Sequence, residues 1–402
     1  MVLRGRAGHN TWVLSLKPHS VAVSLNDTTV AAWDRGGRLY SMVRDGATWR
    51  RGLSGEVLEK RQDGPAHRRR RLLPEAADRV VDEAASFAVA VRADMVSPAW
   101  VWDSPLESVV LREADALLDL NGRFDAGAAR RDAERFARLY RPVGILPPDQ
   151  YLSLVLQATE GCSFNTCTFC DLYHDRYRVR SPEEFKAHVG SVLDYLGESV
   201  HLRSRGIFLG SANALAVPMS TLVPVFETLV EEVDAIRRGV FAFVDGFTGT
   251  RKTAGDYRLL GHLGLRRVYV GLESGHDPLL AFARKPGRAA DAIDTVRCIK
   301  TAGVQVGVIV MTGLGGTRFA AAHLVDTVAA LNAMDLGAGD LLYFSDLVEV
   351  PGTPYPALAA AADILPLDAD ARQTQQRAIR AGLRFQGPPP QMATYDVGEF
   401  IY

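Results

Sequence analysis

The chain has 402 residues, 47% hydrophobic and 23% charged, with a formal net charge of -1; it is long enough for one large domain with appendages or for two domains, and has the composition of an ordered globular protein. The near-neutral balance excludes a general electrostatic attraction to nucleic acid or membrane, and no run of about 18 uncharged apolar residues is present to cross a bilayer. The N-terminal stretch MVLRGRAGHNTWVLSLKPHS lacks a continuous apolar segment ending in a small-residue cleavage site, so no signal peptide is expected and the expected location is the cytoplasm.

Residues 20–60 hold short β-like runs, VAVSL, TTVAAW, RLYSMVR, ATWRRGL and EVLEKR, broken by Asn26-Asp27, Gly36-Gly37, Asp45-Gly46 and Gly55. This predicts the hairpins of a small β-rich element over 1–64. Arg68 to Arg71 follow and read as a solvated linker. Apolar positions at helical spacing predict helices over 74–93, about 105–119 and 126–139, so 65–148 reads as a helical linker region. It ends at YRPVGILPP, where Pro142, Pro147 and Pro148 stop any helix.

From residue 149 the pattern alternates. Strands are predicted at LSLVLQA, GIFLG, VFAFVDG, RRVYVGLESG, VQVGVIVMTGLGG and DLLYFSDLVEV, with helices at 181–197, 219–237, 253–263, 289–302 and 318–333 between them. Strand-helix alternation of this kind implies an α/β fold with a parallel sheet and right-handed crossovers. Its spacing is that of an incomplete TIM-like barrel, a partial (β/α)6 barrel over 149–356. Residues 357–402 read as a C-terminal tail carrying one helix, about 368–384, and an aromatic terminus.

Directly after the first of these strands comes EGCSFNTCTFCDLYHDRYRVR, residues 160–180, in which Cys162, Cys167 and Cys170 form C-x4-C-x2-C. Three soft thiolates this close, at the strand end where barrel chemistry is carried out, are metal-ligand chemistry rather than a disulfide framework. Two readings are open. His174 follows Cys170 by four residues, so three sulfurs and one nitrogen could hold a structural zinc in an α/β binding protein. Three thiolates alone could hold a four-iron cluster with one iron left for a small-molecule ligand.

The stretch resembles the cluster loop of radical S-adenosylmethionine enzymes, whose C-x3-C-x2-C follows the first strand of a partial (β/α)6 barrel, with an aromatic residue before the last cysteine. Phe169 holds that place here, and the first gap is one residue longer. VYVGLESGHDPLLAFARKPG at 268–287, AGVQVGVIVMTGLGG and VPGTPY look like the later strand ends of the Elongator-like and methylthiotransferase-like branch. The resemblance implies that Cys162, Cys167 and Cys170 ligate a 4Fe-4S cluster and that S-adenosylmethionine binds its open iron. Phe169 would border the adenine. Gly210, Ser211 and Asn213 stand where the family has a Gly-Gly-Glu segment facing the methionine amino group, and Glu273 and Ser274 stand where it places polar groups toward ribose or methionine. Arg284 or Lys285 would meet the methionine carboxylate.

The implied partners are a small-molecule substrate and an electron donor such as flavodoxin or ferredoxin. With only Cys298 unassigned, an auxiliary cluster is not expected, and no D-x-H-x-x-G cobalamin signature is present. A radical enzyme modifying RNA is the remaining alternative, disfavoured by the absence of a basic domain.

Overall fold

In the computed structural model, which describes residues 1–63, 66–249, 251–350 and 352–402, the chain forms two compact units. One comprises Met1–Tyr140, Ser191–Ser204 and Gly398–Tyr402, the other Arg141–Gly190 and Arg205–Val397.

The first unit contains β1 (Val2–Ala7), β2 (Asn10–Lys17), β3 (Ser20–Leu25), β4 (Thr29–Asp34), β5 (Leu39–Arg44), β6 (Ala47–Arg51), β7 (Val57–Asp63), β8 (Ala66–Arg71), α1 (Pro74–Met95), β9 (Trp100–Trp102), α2 (Ser108–Gly122) and α3 (Ala126–Leu139). The nine strands form one sheet in the order β8-β7-β6-β5-β4-β3-β2-β1-β9. Asp45 and Gly46, at φ +49° and +71°, turn β5 onto β6 with Arg44 opposite Ala47, the left-handed geometry that a two-residue hairpin requires. Strand alternation buries Leu14, Val21, Val23 and Trp33 in one core with Val81, Ala84 and Ala88 of α1 and Leu117 and Leu118 of α2. Strands and helices therefore share a single hydrophobic core rather than forming a strand element and a separate helical linker. The arginine run is not a linker either. Arg68 to Arg71 lie in β8, an edge strand paired with β7 through Glu59 opposite Arg70 and Leu58 opposite Arg71, and Arg71 reaches Glu56 at 2.7 Å. Charged side chains along an edge strand discourage pairing with another chain.

The second unit is built on β10 (Leu154–Gln157), β11 (Thr159–Glu160), β12 (Arg178–Val179), β13 (Ile207–Gly210), β14 (Val240–Val244), β15 (Leu265–Glu273), β16 (Gln305–Thr312), β17 (Leu341–Asp346) and β18 (Gln391–Tyr395). The connecting helices are α4 (Pro182–Leu196), which the second unit holds as far as Gly190, α5 (Met219–Glu232), α6 (Gly246–Gly249), α7 (Ala254–His262), α8 (Asp277–Phe282), α9 (Ala289–Thr301), α10 (Gly316–Ala333), α11 (Tyr355–Ala361) and α12 (Ala369–Gly382). Seven strands pair in parallel in the order β10-β13-β14-β15-β16-β17-β18, while β11 and β12 make a separate two-stranded pair. The strands read as near-continuous apolar runs because both faces of a parallel sheet are covered; Leu154, Val155, Leu156, Ile207, Leu209, Val268 and Val270 are all fully or almost fully buried.

Strand β18 falls in the segment read as a tail. Its sequence QMATY has no apolar run, so only its pairing with β17 identifies it, from Leu341 opposite Gln391 to Ser345 opposite Tyr395. At the other end of the sheet, Asp149 accepts hydrogen bonds from Tyr269 at 2.6 Å, Tyr343 at 2.8 Å and Arg267 at 3.1 Å. One carboxylate so ties β15 and β17 to the residues before β10.

Two buried histidines are neutral in this fold. His188 accepts the Gln157 amide at Nε2, 3.1 Å away, and burial, then Arg180, pushes its pKa down to about 3. His323 is pushed down to about 4 by burial and by His276. Histidines of the unfolded chain titrate near pH 6.5. Between about pH 6.5 and 4 the unfolded state therefore binds more protons, and stability present above pH 6.5 is lost as the pH falls, by roughly 1.4 kcal/mol per pH unit for each group. Thermal unfolding midpoints measured across this range should show that decline, and His188→Gln, which keeps an acceptor for the Gln157 amide, should make it shallower; an unchanged slope would contradict the assignment.

Candidate functional site

Because all seven strands run one way, their C-terminal ends and following loops open at the same edge of the sheet, where ligands of α/β sheets bind. There a cavity of about 220 Å³ is lined by Cys162, Cys167, Cys170 and Phe169 from the loop after β11, by Asn213, Asp245, Glu273 and Met311 at or just past the ends of later strands, and by Lys285 after α8. Apolar groups make up most of the remaining wall. Phe164 packs on Phe247 with ring centroids 4.5 Å apart, and Ile145, Phe243, Tyr173 and Tyr395 also face the cavity.

Local sequence shapes the cysteine loop. The gap between Cys162 and Cys167 turns at Asn165, which is exposed and has φ +49°; asparagine tolerates this left-handed conformation better than most side chains. Beyond it, Thr168 is buried and anchors the loop in two directions. Its amide donates to the Ala283 carbonyl at 2.9 Å and its carbonyl accepts the Tyr355 amide at 3.0 Å. Phe169 packs against the cluster of Leu279, Ala283, Leu314 and Tyr355, while the Tyr355 hydroxyl accepts the Gly315 amide at 2.7 Å. The segment 355–361 thus backs the loop from outside.

The thiols sit half-buried among apolar groups. Burial pushes the Cys167 thiol up to about 11, against the pull of Lys285, and burial likewise raises Cys170. Lys285 Nζ lies 3.5 Å from Glu273 Oε1, with both side chains largely enclosed. Burial raises the Glu273 carboxyl despite its partner; burial also works against the Lys285 ammonium, but Glu273 and Cys167 hold it above the usual lysine value. Glu273 adopts φ +58° at a break in the register between β15 and β16, an irregularity of the kind that re-aims a side chain.

The expected residues separate into two sets. The three cysteines, Phe169, Asn213 and Glu273 line the cavity. Gly210 and Ser211 do not; they border a small recess behind it, and the Ser211 amide is taken by Thr159 Oγ1 at 2.9 Å. Ser274, the first residue past β15, is fully buried, with its hydroxyl 2.7 Å from His323 Nδ1. Nor is Asn213 free to meet an ammonium. Its amide nitrogen donates to Ser163 Oγ at 2.9 Å and to the Asp245 carboxylate, and its carbonyl oxygen accepts the Asp245 amide at 3.0 Å. Of the two basic candidates, Lys285 faces the cavity and Arg284 is exposed. His174 points out to solvent, its side chain 75% exposed and 3.4 Å from Asp171. Cys298 lies elsewhere, its thiol 3.5 Å from the Lys252 carbonyl.

Asp245 was missed from sequence. It closes β14 in VFAFVDG, and a carboxylate ending a buried apolar strand was the available signal. Asn213 and Thr248 hold it, the Thr248 amide donating to Oδ1 at 2.7 Å. The cavity therefore presents one carboxylate paired with a lysine and a second held by neutral donors.

Residues 156–326 match the model of the Radical SAM superfamily, whose members use a 4Fe-4S cluster and S-adenosylmethionine. Among curated proteins no relative matches. Similar solved structures include the cobalamin-dependent S-adenosylmethionine radical enzyme OxsB with aqua-cobalamin and S-adenosylmethionine bound, at 15% identity, 57% of this chain, 31% of that one and a TM-score of 0.38. The archaeal Methanocaldococcus infernus Elp3 with an N-terminal deletion aligns at 11% identity over 61% of each chain with a TM-score of 0.40. Coproporphyrinogen III oxidase (HemN) from Escherichia coli, described as a radical SAM enzyme, aligns at 13% identity over 62% of this chain and 54% of that one, again with a TM-score of 0.40. This chain spans 31% of the length of the first of these, and likenesses at such TM-scores carry no argument about substrate or partner.

The Asn213 clasp yields a test that needs no ligand. Asn213→Ala removes donor and acceptor together and leaves the half-buried Asp245 with fewer partners, so chemical denaturation should register a loss of about 1–3 kcal/mol. An unchanged midpoint would mean that the clasp does not stabilise the strand ends.

Proposed function

We propose that this chain, a radical SAM enzyme by its domain over residues 156–326, holds a 4Fe-4S cluster on Cys162, Cys167 and Cys170 and uses it with S-adenosylmethionine to remove a hydrogen atom from a small organic, natural-product-like substrate. The observation that carries this reading is that three of the four cysteines line one cavity together with the Glu273–Lys285 pair.

The donor set fits the group. In a cubane each thiolate binds its own iron, so the sulfurs are spread around the cluster rather than gathered on one ion. Three soft sulfur donors suit iron–sulfur chemistry. When bound, the cluster supplies one electron that cleaves S-adenosylmethionine to methionine and a 5′-deoxyadenosyl radical. The remaining roles belong to side chains. The Lys285 ammonium offsets negative charge beside Cys167 and offers donors to a carboxylate. Glu273 accepts from an ammonium or hydroxyl group, and Phe169 supplies a flat apolar edge for a base. Phe164, Phe243, Phe247 and Met311 keep water away from a reactive intermediate.

In this reading the six strands β10 to β17 of the sheet are a partial (β/α)6 barrel, and GLESG at 271–275 with MTGLGG at 311–316 supports the Elongator-like and methylthiotransferase-like branch. A reduced flavodoxin or ferredoxin in the cytoplasm delivers the electron.

Anaerobic reconstitution should give a brown protein absorbing near 400 nm with about four irons per chain, and the reduced protein should convert S-adenosylmethionine to 5′-deoxyadenosine. Cys167→Ala should abolish that conversion. Colourless protein carrying one zinc, or full cleavage by the variant, would overturn the assignment.

A further inference from the structure

The cysteine loop leaves the sheet at Glu160 and returns at Arg178. Only four residues close this neck by backbone pairing, Thr159 opposite Val179 and Glu160 opposite Arg178, with one further bond from the Arg180 amide to the Ala158 carbonyl at 3.0 Å. So short a two-stranded pair is marginal in water by itself.

Side chains reinforce it. Glu160, its side chain 11% exposed, faces three guanidinium groups: Arg178 at 3.1 Å and Arg180 at 3.2 Å on Oε1, and Arg141 at 3.8 Å on Oε2. Arg178 also reaches Glu184, and Glu184 accepts the Ser181 amide at 2.9 Å while its own amide donates to Ser181 Oγ at 3.2 Å. That reciprocal arrangement caps the start of α4. The neck, the following helix and the arginines are thus one connected network. Next to Glu160 there is no spare room: Gly161 has φ +66°, and a Cβ there would lie 2.3 Å from the Asp175 carbonyl oxygen in the loop ahead of β12.

We propose that Glu160 is a positioning residue for the cluster, acting with Arg178 and Arg180 as a latch that holds the cysteine loop closed and fixes Cys162 before any metal arrives. The inference rests on reading the three cysteines as ligands, and it assigns them separate supports. Thr168 anchors the half carrying Cys167 and Cys170 through Ala283 and Tyr355. Cys162 lies between the neck and Ser163, whose hydroxyl accepts from Asn213 at 2.9 Å, so the latch holds Cys162 from the N-terminal side. The Glu160–Arg180 pair lies mostly out of solvent and is screened less than a surface ion pair, whereas the Arg178 side chain is 47% exposed. Removing the carboxylate leaves Arg180, 15% exposed, without its charge partner, which costs more than losing a surface contact.

The test is hydrogen exchange on the full metal-free chain, parent against Glu160→Gln. Amides at 158–166 and 174–180 should exchange several-fold faster in the variant, and those at 167–171 should not change. In reconstituted protein, Glu160→Gln should also release iron to a chelator several-fold faster than the parent, with Glu160→Asp intermediate. Equal neck exchange in parent and Glu160→Gln, or acceleration spread evenly over the whole loop, would overturn the latch. If Glu160→Gln fails to fold, Arg178→Gln, which leaves Arg141 and Arg180 on the carboxylate, replaces it, with the same pattern expected at smaller amplitude. Exchange is read without metal, so a parent that takes up no iron refutes the ligand reading separately.

Discussion

The second unit depends on one constraint: its seven strands are parallel. Parallel neighbours must be joined by crossovers, so each strand ends in a loop at the same edge. Residues distant in sequence, Cys162, Asn213, Asp245, Glu273 and Met311, meet there because each ends or follows a strand. The opposite edge needs no such opening, and Asp149 closes it by accepting from two tyrosines and an arginine. The cavity is in this sense a product of chain direction before it is a product of particular side chains.

Within that frame, polar groups lining the cavity are mostly committed to each other. Asn213 and Asp245 brace adjacent strand ends, and Glu273 and Lys285 neutralise one another. A carboxylate or an ammonium buried alone would shift toward its neutral form; pairing keeps charge available next to the thiols. The cysteine loop follows the same logic, with Thr168 wedged between Ala283 and Tyr355 and Glu160 gripped by arginines. Thiols that must reach separate irons gain from supports set before the metal binds, since each unanchored backbone residue would have to be ordered at binding.

Periodicity alone was sufficient for the long elements. The apolar runs at 154–157, 207–210, 240–244, 265–273, 305–312 and 341–346 and the amphipathic stretches at 74–95 and 126–139 carry their signal within a dozen residues, because burial on both faces of a strand or one face of a helix is a local pattern. Strand β18 has no such pattern; QMATY becomes a strand because β17 offers an unpaired edge. The arginines of β8 misled for a related reason, since charge on one side of a sheet edge reads like charge in a linker.

At the site, the sequence by itself determined the donor chemistry: three thiols at C-x4-C-x2-C after a buried strand, and a carboxylate at the end of β15. Side-chain direction was decided only by tertiary structure. Glu273 and Ser274 are neighbours, yet one lines the cavity and the other is fully buried against His323, because the register breaks at 271–273 and Glu273, at φ +58°, turns the chain as β15 ends. Gly210, Ser211 and Asn213 likewise divide between a small recess and the cavity wall. Asp245 and Lys285 enter the site only once neighbouring strands bring them to Asn213 and Glu273. Residue type is written along the chain, whereas which groups face each other depends on pairings between segments tens of residues apart.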